Sequence, residues 1–295
     1  MKGIDVSTIQ GVIDWSKVYN DDVRFAMIKA TQGRGEGAAT KHLKRFTDSR
    51  FASNIKGAAS VGLGVGVYHY FTATTVSAAR EEAEYFCKVI APYKDKITLW
   101  AAVDVESKYL DGLSKDELYA SVRAFMDVVE KRGFESMIYT NPNFLKYRFP
   151  AGAFDKDAIW LAHWNVKTPM EVPNMHIWQY GVGKVAGIRG SVDMNVGQSF
   201  VGVVSAICRL ASIGLIDTPE YWFTHHYEIP YIDELLIKAA EKIGTPRTSS
   251  PTKNIGEALK RLADAGVINT PEYWQKNHTR VKWLTELILK LGGSV

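Results

Sequence analysis

The sequence predicts an α/β protein, an irregular β/α barrel followed by a small all-α domain made of a tandem repeat. Three observations carry this reading. From residue 1 to about 197, short apolar runs alternate with helical stretches, and there are eight such runs, the number a closed barrel needs. Beyond 197 the alternation stops, and a segment returns at a spacing of 52 residues. The length of 295 residues suits either one barrel-sized domain or two domains.

The runs are Gly3–Val6, Phe25–Ala30, Gly64–Phe71, Leu99–Val105, Met137–Thr140, Ile159–Ala162, Ile177–Tyr180 and Ser191–Met194. They are short and several are rich in Val, Ile, Tyr and Trp, as buried strands are. Ala78–Ile90 and Lys115–Arg132 read as helices between them. Thr75 supplies a cap for the first, and Ser114 with Glu117 forms a capping-box signature for the second. The last three runs leave little room for helices, so the barrel is expected to be irregular at its end.

The domains are placed at 1–197 and 198–295. In the second, Leu210 to Trp222 returns as Leu262 to Trp274. The match runs ungapped to Lys238 and Lys290, with His226 against His278 and Leu235 against Leu287. Repeats over about 203–244 and 253–292 mark a duplicated unit. Each reads as helix, Gly turn, short helix, helix. Gly214 and Gly266 end the first helix in a left-handed conformation, and Thr-Pro-Glu starts the next with Thr as N-cap. The polar stretch 245–252, with two prolines, reads as a linker.

Composition excludes several classes. Apolar residues make up 46% and charged residues 23%, which argues against a disordered chain. A net charge of +4 without a Lys/Arg run does not imply nucleic acid. No window holds the roughly 18 consecutive apolar residues of a membrane span. Cys87 and Cys208 read as buried packing residues, too few for a disulfide framework or a zinc site. The histidines lack metal-ligand spacing, and neither a metal nor another cofactor is expected. Gly62, Gly64 and Gly66 read as close packing, not a phosphate loop. Aromatics reach 12%, which suits sugar stacking as well as large cores.

The strongest chemical signal is Asp104-Val105-Glu106 at the end of a strand. Period-2 alternation puts both carboxylates on one face, about 6–7 Å apart at the backbone. The carboxyl ends of barrel strands are where chemistry sits. Two carboxylates this close disfavour full ionisation, so one stays protonated as an acid while the other is an anion. Glycosidic cleavage needs that pair. Asp5 ends the first strand and Asp193 lies in the last. Closure would bring all four acids to one mouth.

Taken in chain order, Gly3-Ile4-Asp5-Val6-Ser7, Ile28-Lys29-Ala30-Thr31, Gly66-Val67-Tyr68-His69-Tyr70, Asp104-Val105-Glu106, Trp178-Gln179-Tyr180 and Gly187-Ile188-Arg189-Gly190-Ser191-Val192-Asp193-Met194-Asn195 resemble glycoside hydrolase family 25. These are the Chalaropsis-type lysozymes, which include many phage endolysins. The resemblance covers residues 1 to about 197. It implies a flattened barrel and N-acetylmuramidase activity on the β-1,4 bond from N-acetylmuramic acid to N-acetylglucosamine in peptidoglycan. It makes Glu106 the general acid/base and Asp104 its partner, orienting the substrate N-acetyl group or stabilising developing charge. Asp5 and Asp193 become flanking carboxylates. The family often has Glu where Gln32 stands, which implies a neutral groove contact here. The family is described as retaining, and N-acetyl participation is favoured over a direct carboxylate nucleophile.

Within this frame Tyr68, Tyr70, Tyr139 and Trp164 are expected in the substrate groove, with Gln179 and Asn195 as hydrogen-bonding partners; the same aromatics also suit a core. The C-terminal repeats are expected to bind the cell wall through Tyr221, Trp222, Tyr273 and Trp274, whose matched places also suit each repeat's core. A homodimer formed through the repeats is the alternative. A DNA-binding helix-turn-helix is disfavoured by 11 Lys/Arg against 10 Asp/Glu in the tail. The expected partner is peptidoglycan or another wall polymer, with no nucleic acid and no stable membrane insertion. The N-terminus reads as a strand and lacks signal-peptide features. The expectation is therefore an endolysin that waits in the host cytoplasm for holin-type export. A chitinase-like hydrolase and a non-catalytic glycan-binding barrel are the remaining alternatives.

Overall fold

The computed structural model describes residues 1–33, 44–226, 228, 231–243 and 254–282, together with 284, 287, 288, 290 and 291. The expected linker over 245–252 lies outside the described residues. Packing divides the chain into two units, residues 1–59 with 64–201 and residues 60–63 with 202–295.

The first unit is a closed barrel. Its strands are β1 (Lys2–Val6), β2 (Phe25–Gln32), β4 (Gly64–Tyr70), β5 (Ala101–Asp104), β6 (Ser136–Thr140), β7 (Ala158–Ala162), β8 (Met175–Gly183) and β9 (Val192–Gly197). A two-residue strand, β3 (Phe46–Thr47), adds to β2. Each expected run is one of the eight barrel strands. Neighbours pair in parallel from β1 through β2 and β4 to β8, while β9 runs antiparallel to both β8 and β1 and closes the ring. Eight residues separate β8 from β9. A parallel crossover needs a dozen or more, so this connection can only turn back.

Helices α1 (Trp15–Asn20), α2 (Phe51–Ser60), α3 (Val76–Ile90) and α4 (Lys115–Lys131) fill the early crossovers, and no α-helix lies between β6 and β9. The expected irregularity is therefore present. Thr75 caps α3 by accepting from the Ala78 N–H, and Ser114 with Glu117 closes a full capping box on α4. Inside the barrel the strands approach closely around large side chains. A Cβ on Gly66 would run into the Met27 thioether and come within 3.1 Å of the Trp100 carbonyl oxygen, so any larger residue there displaces Met27.

The second unit holds α5 (Ser199–Ser212) from residue 202 on, with α6 (Pro219–His225), α7 (Ile232–Lys242), α8 (Ile255–Asp264) and α9 (Pro271–Asn277). Gly214 and Gly266 take φ of +75° and +69° after the first helix of each repeat, as their places predict. The N-cap expectation is corrected in part. Thr218 and Thr270 occupy the cap positions, but neither side chain makes the capping bond. Their backbone carbonyls accept the Tyr221 and Tyr273 N–H groups instead, each at 3.1 Å. Trp222 and Trp274 are buried in one apolar core with Leu210, Leu262, Leu236 and Leu259. Cys87 is buried as expected, whereas Cys208 is half-buried, and the two are not joined to each other. No helix among the described residues is long and apolar enough to cross a membrane.

Candidate active site

Strand direction gathers the acids. β1 and β5 run toward the mouth, so Asp5 and Asp104 come near their carboxyl ends. β9 runs the other way, so its second residue, Asp193, reaches the same end and pairs in register with Asp5. Glu106 lies two residues beyond β5, exposed at the rim, whereas Asp5 and Asp104 are buried. The four predicted acids thus come from three strands to one mouth.

A hydrogen-bonded network ties this mouth together. Asp5 Oδ2 accepts from Gln179 Nε2 at 2.9 Å and from Asn195 Nδ2 at 2.8 Å. Gln179 Oε1 accepts from the Tyr139 hydroxyl and from Trp164 Nε1, both at 2.9 Å. The Tyr139 hydroxyl also lies 3.4 Å from Glu106 Oε2. Asn195 Oδ1 accepts from Trp160 Nε1 at 2.8 Å. Gln179 and Asn195 are buried, and both ends of each amide are used, so their orientation is set by their neighbours.

The acids hold their protons unusually well. Burial, then the neighbouring Asp193, lifts Asp5 to about 7 against the pull of Asn195 and Gln179. Burial and then Glu106 raise Asp104 well above the carboxylate range, with Lys29 opposing. Asp104 Oδ1 is buried and has no hydrogen-bond partner. Desolvation raises Glu106 too, while Tyr139 and Lys29 draw it down. Desolvation also raises Asp193, partly offset by its bond with Asp5. Groups coupled this closely titrate as a set.

The expected groove aromatics fall into distinct places. Tyr68 and Tyr139 stand edge-on to Trp160, at 5.9 and 4.5 Å between ring centres. Tyr70 lies under the Lys29 ammonium, 5.1 Å from its ring centre. Trp164 is 41% exposed, which leaves an open ring face beside the network. Of the C-terminal candidates, Trp222 and Trp274 are 2% exposed core side chains. Tyr221 stacks on His225 at 4.0 Å, and Tyr273 meets Tyr231 edge-on.

Two features escaped the sequence reading. Lys29 faces the barrel interior in register with Tyr68, beside Asp104 and Glu106. Counting alternate positions along its strand would have found it, since Phe25, Met27 and Lys29 share one face. Gln32 Oε1 accepts from Lys29 Nζ at 2.7 Å, so a neutral amide holds the cation. Behind β4, fully buried His69 bonds Glu82 at 2.8 Å and Thr31 at 2.7 Å. Glu82 also accepts from the Thr72 N–H and hydroxyl.

The sequence profile of the glycosyl hydrolases family 25 matches residues 4–188. The chain belongs to this family. It is 32% identical over 196 residues to an autolytic lysozyme of Clostridium acetobutylicum, covering 66% of this chain and 55% of that protein. The chain thus spans about half the length of that relative. Lysozyme M1 of Streptomyces globisporus is 30% identical over 226 residues, 72% of this chain and 71% of that one. Among solved structures, a bacterial lysozyme from Streptomyces coelicolor matches with a TM-score of 0.58 at 27% identity, covering 71% of this chain and 97% of that chain. The CTP1L endolysin matches with a TM-score of 0.55 at 24% identity, covering 67% of this chain and 66% of that chain, and so shares the fold. Family membership makes this chain a glycoside hydrolase by class.

Proposed function

We propose that this protein is a peptidoglycan hydrolase, an N-acetylmuramidase that cleaves the β-1,4 bond from N-acetylmuramic acid to N-acetylglucosamine. The observation that carries the reading is the convergence of Asp5, Asp104, Glu106 and Asp193 at one mouth, all with raised pKa. The kinship with lysozymes supports the substrate class.

Glu106 is the rim acid and is raised above its ordinary value. It delivers its proton to the leaving oxygen of N-acetylglucosamine as the glycosidic bond breaks. The substrate's acetamido oxygen closes on C1 to form an oxazolinium, and its N–H is held by the buried Oδ1 of Asp104, which has no other partner. Water then attacks C1, the C1–acetamido oxygen bond breaks to restore the acetamide, and the Glu106 carboxylate takes the water proton. Configuration is retained and the acid is regenerated. Lys29 offsets the anionic charge that builds at the mouth. Trp164 offers its ring face to a sugar, and Gln179 and Asn195 hold Asp5 in place.

The wall-targeting role of the second unit is part of this proposal. It is supported by two cavities that repeat at the 52-residue spacing. One, about 160 Å³, takes Leu215–Thr218 and Trp222 from the first repeat with Leu287 and Lys290 from the second. The other, about 290 Å³, takes Val267–Thr270 and Trp274 from the second repeat with Leu235 and Lys238 from the first. Each cavity is thus built from both repeats. An endolysin setting is consistent with the fold shared with the CTP1L endolysin.

Mass spectrometry of borohydride-reduced products from purified peptidoglycan tests the reading. New reducible ends on N-acetylmuramic acid are expected. New ends on N-acetylglucosamine would show a glucosaminidase, and no new ends on walls that the protein still binds would show a glycan-binding barrel. Removal of residues 202–295 should reduce pelleting of the Glu106→Gln chain with walls; unchanged pelleting would refute the targeting role.

A further inference from the structure

One concavity of the first unit lies away from the acids, on the outside of the barrel. It is a groove of about 850 Å³ along α3, lined by Arg45, Arg80, Lys88, Lys94 and Arg132 with only two acids, Glu81 and Glu84. Both acids are already engaged. Glu81 lies 3.8 Å from Arg45, and Glu84 lies 2.6 Å from Arg132. No carboxylate among the described residues pairs with Arg80, Lys88 or Lys94, and all three are exposed. The chain's formal charge is only +4, so this surface holds much of its unbalanced positive charge.

The cations are strung out, not convergent. Arg80 and Lys88 are eight positions apart on one helix, about 12 Å along its axis. Lys94 lies beyond the end of α3, over the Phe134 ring at 5.3 Å. α3 follows β4, whose carboxyl end is the catalytic mouth, so the helix runs from that end down the barrel wall. Its 15 residues span about 22 Å. A single carboxylate would engage one of these cations. A chain with repeating negative charge engages all three, and each fixed cation releases a counterion from such a chain.

We propose that this groove binds a phosphodiester-linked anionic polymer of the bacterial wall, laid along α3 from the catalytic mouth. The choice of a wall polymer rests on the peptidoglycan-hydrolase reading; the groove itself rests on charge and shape. Such a contact would hold the barrel against walls that carry the polymer while the mouth works on the glycan.

The test uses the full chain with Glu106→Gln, so that walls stay intact. Pelleting is measured from roughly 50 to 200 mM salt on Gram-positive walls before and after hydrofluoric acid removes the phosphodiester polymer. The same chain with Arg80→Ala, Lys88→Ala and Lys94→Ala is run alongside, and a single Lys88→Glu variant guards against misfolding. Expected are an apparent Kd about tenfold weaker for the triple variant on untreated walls and a salt slope flatter by about 2, for three contacts at about 0.7 each. Lys88→Glu should weaken binding in the same direction, and on stripped walls all chains should bind alike. Equal binding of the parent and both variants to untreated walls would overturn the proposal. So would an equal loss on stripped walls, or binding to anionic vesicles or RNA that exceeds binding to walls. The groove substitutions in the otherwise native chain should leave hydrolysis of soluble glycan fragments within about twofold. Failure of the muramidase reading would appear in the reducing ends, and failure of this one in the pelleting.

Discussion

Asp5→Asn should stabilise the protein at neutral pH while impairing it as an enzyme. Asp5 is buried, and its pKa is raised from 3.8 to about 7 by burial and by Asp193. The unfolded chain ionises this group near 3.8, whereas the folded chain resists. Below 3.8 both states are protonated and nothing is lost. Stability then falls as pH rises from 3.8, and the loss is complete above about 7. At about 1.36 kcal/mol per pH unit, that interval costs the native protein about 4 kcal/mol. The substituted amide would carry no charge, keep an acceptor oxygen for Gln179 and Asn195, and present an N–H to Asp193. Urea unfolding followed by near-ultraviolet circular dichroism at about pH 4, 6 and 8 measures the difference. The variant should gain little at about pH 4 and up to about 4 kcal/mol at about pH 8. A gap independent of pH, or a variant less stable in the alkaline range, would refute the argument that Asp5 is held against its own ionisation.

Glu106→Gln should lower kcat/KM on peptidoglycan by about 10²–10⁴ with the fold intact, and Asp104→Asn should be severely impaired; near-normal lysis by the first would remove Glu106 as the acid. Activity should fall as pH rises through the raised pKa of Glu106, and Tyr139→Phe should move that alkaline limb higher, because Tyr139 now draws Glu106 down. A pH–rate profile with an unmoved or lowered limb would contradict this. Glu82→Leu should destabilise the barrel by about 3 kcal/mol or more, since His69 and Thr72 would lose their buried acceptor; a loss below about 1 kcal/mol in chemical denaturation would mean the site relaxes or is hydrated.

Much of this architecture is written in local patterns. Strand segments show themselves because buried runs of Val, Ile and aromatic residues differ from amphipathic helices in period, and all eight were legible. The capping box at Ser114 and the left-handed glycines at 214 and 266 are local chemistry too. So is the placing of Asp104 and Glu106 on one face, since strand alternation alone dictates it. The repeat is visible because two copies of one chain can be compared with each other.

What only the tertiary structure decided lies between residues far apart in the chain. Asn195 reaches Asp5 across 190 positions, and Gln179 across 174. No local pattern reports such a bond. The antiparallel return of β9 sets which end of the strand carries Asp193. Lys29 belongs to the site through its register with Tyr68, and the basic groove along α3 arises from residues between 45 and 134. The sequence by itself determined which residues carry charge and which segments are strands. Closure of the barrel determined which charges meet, how far from water they sit and therefore how tightly they hold their protons, because desolvation and Coulomb energy depend on distance in space and not on separation along the chain.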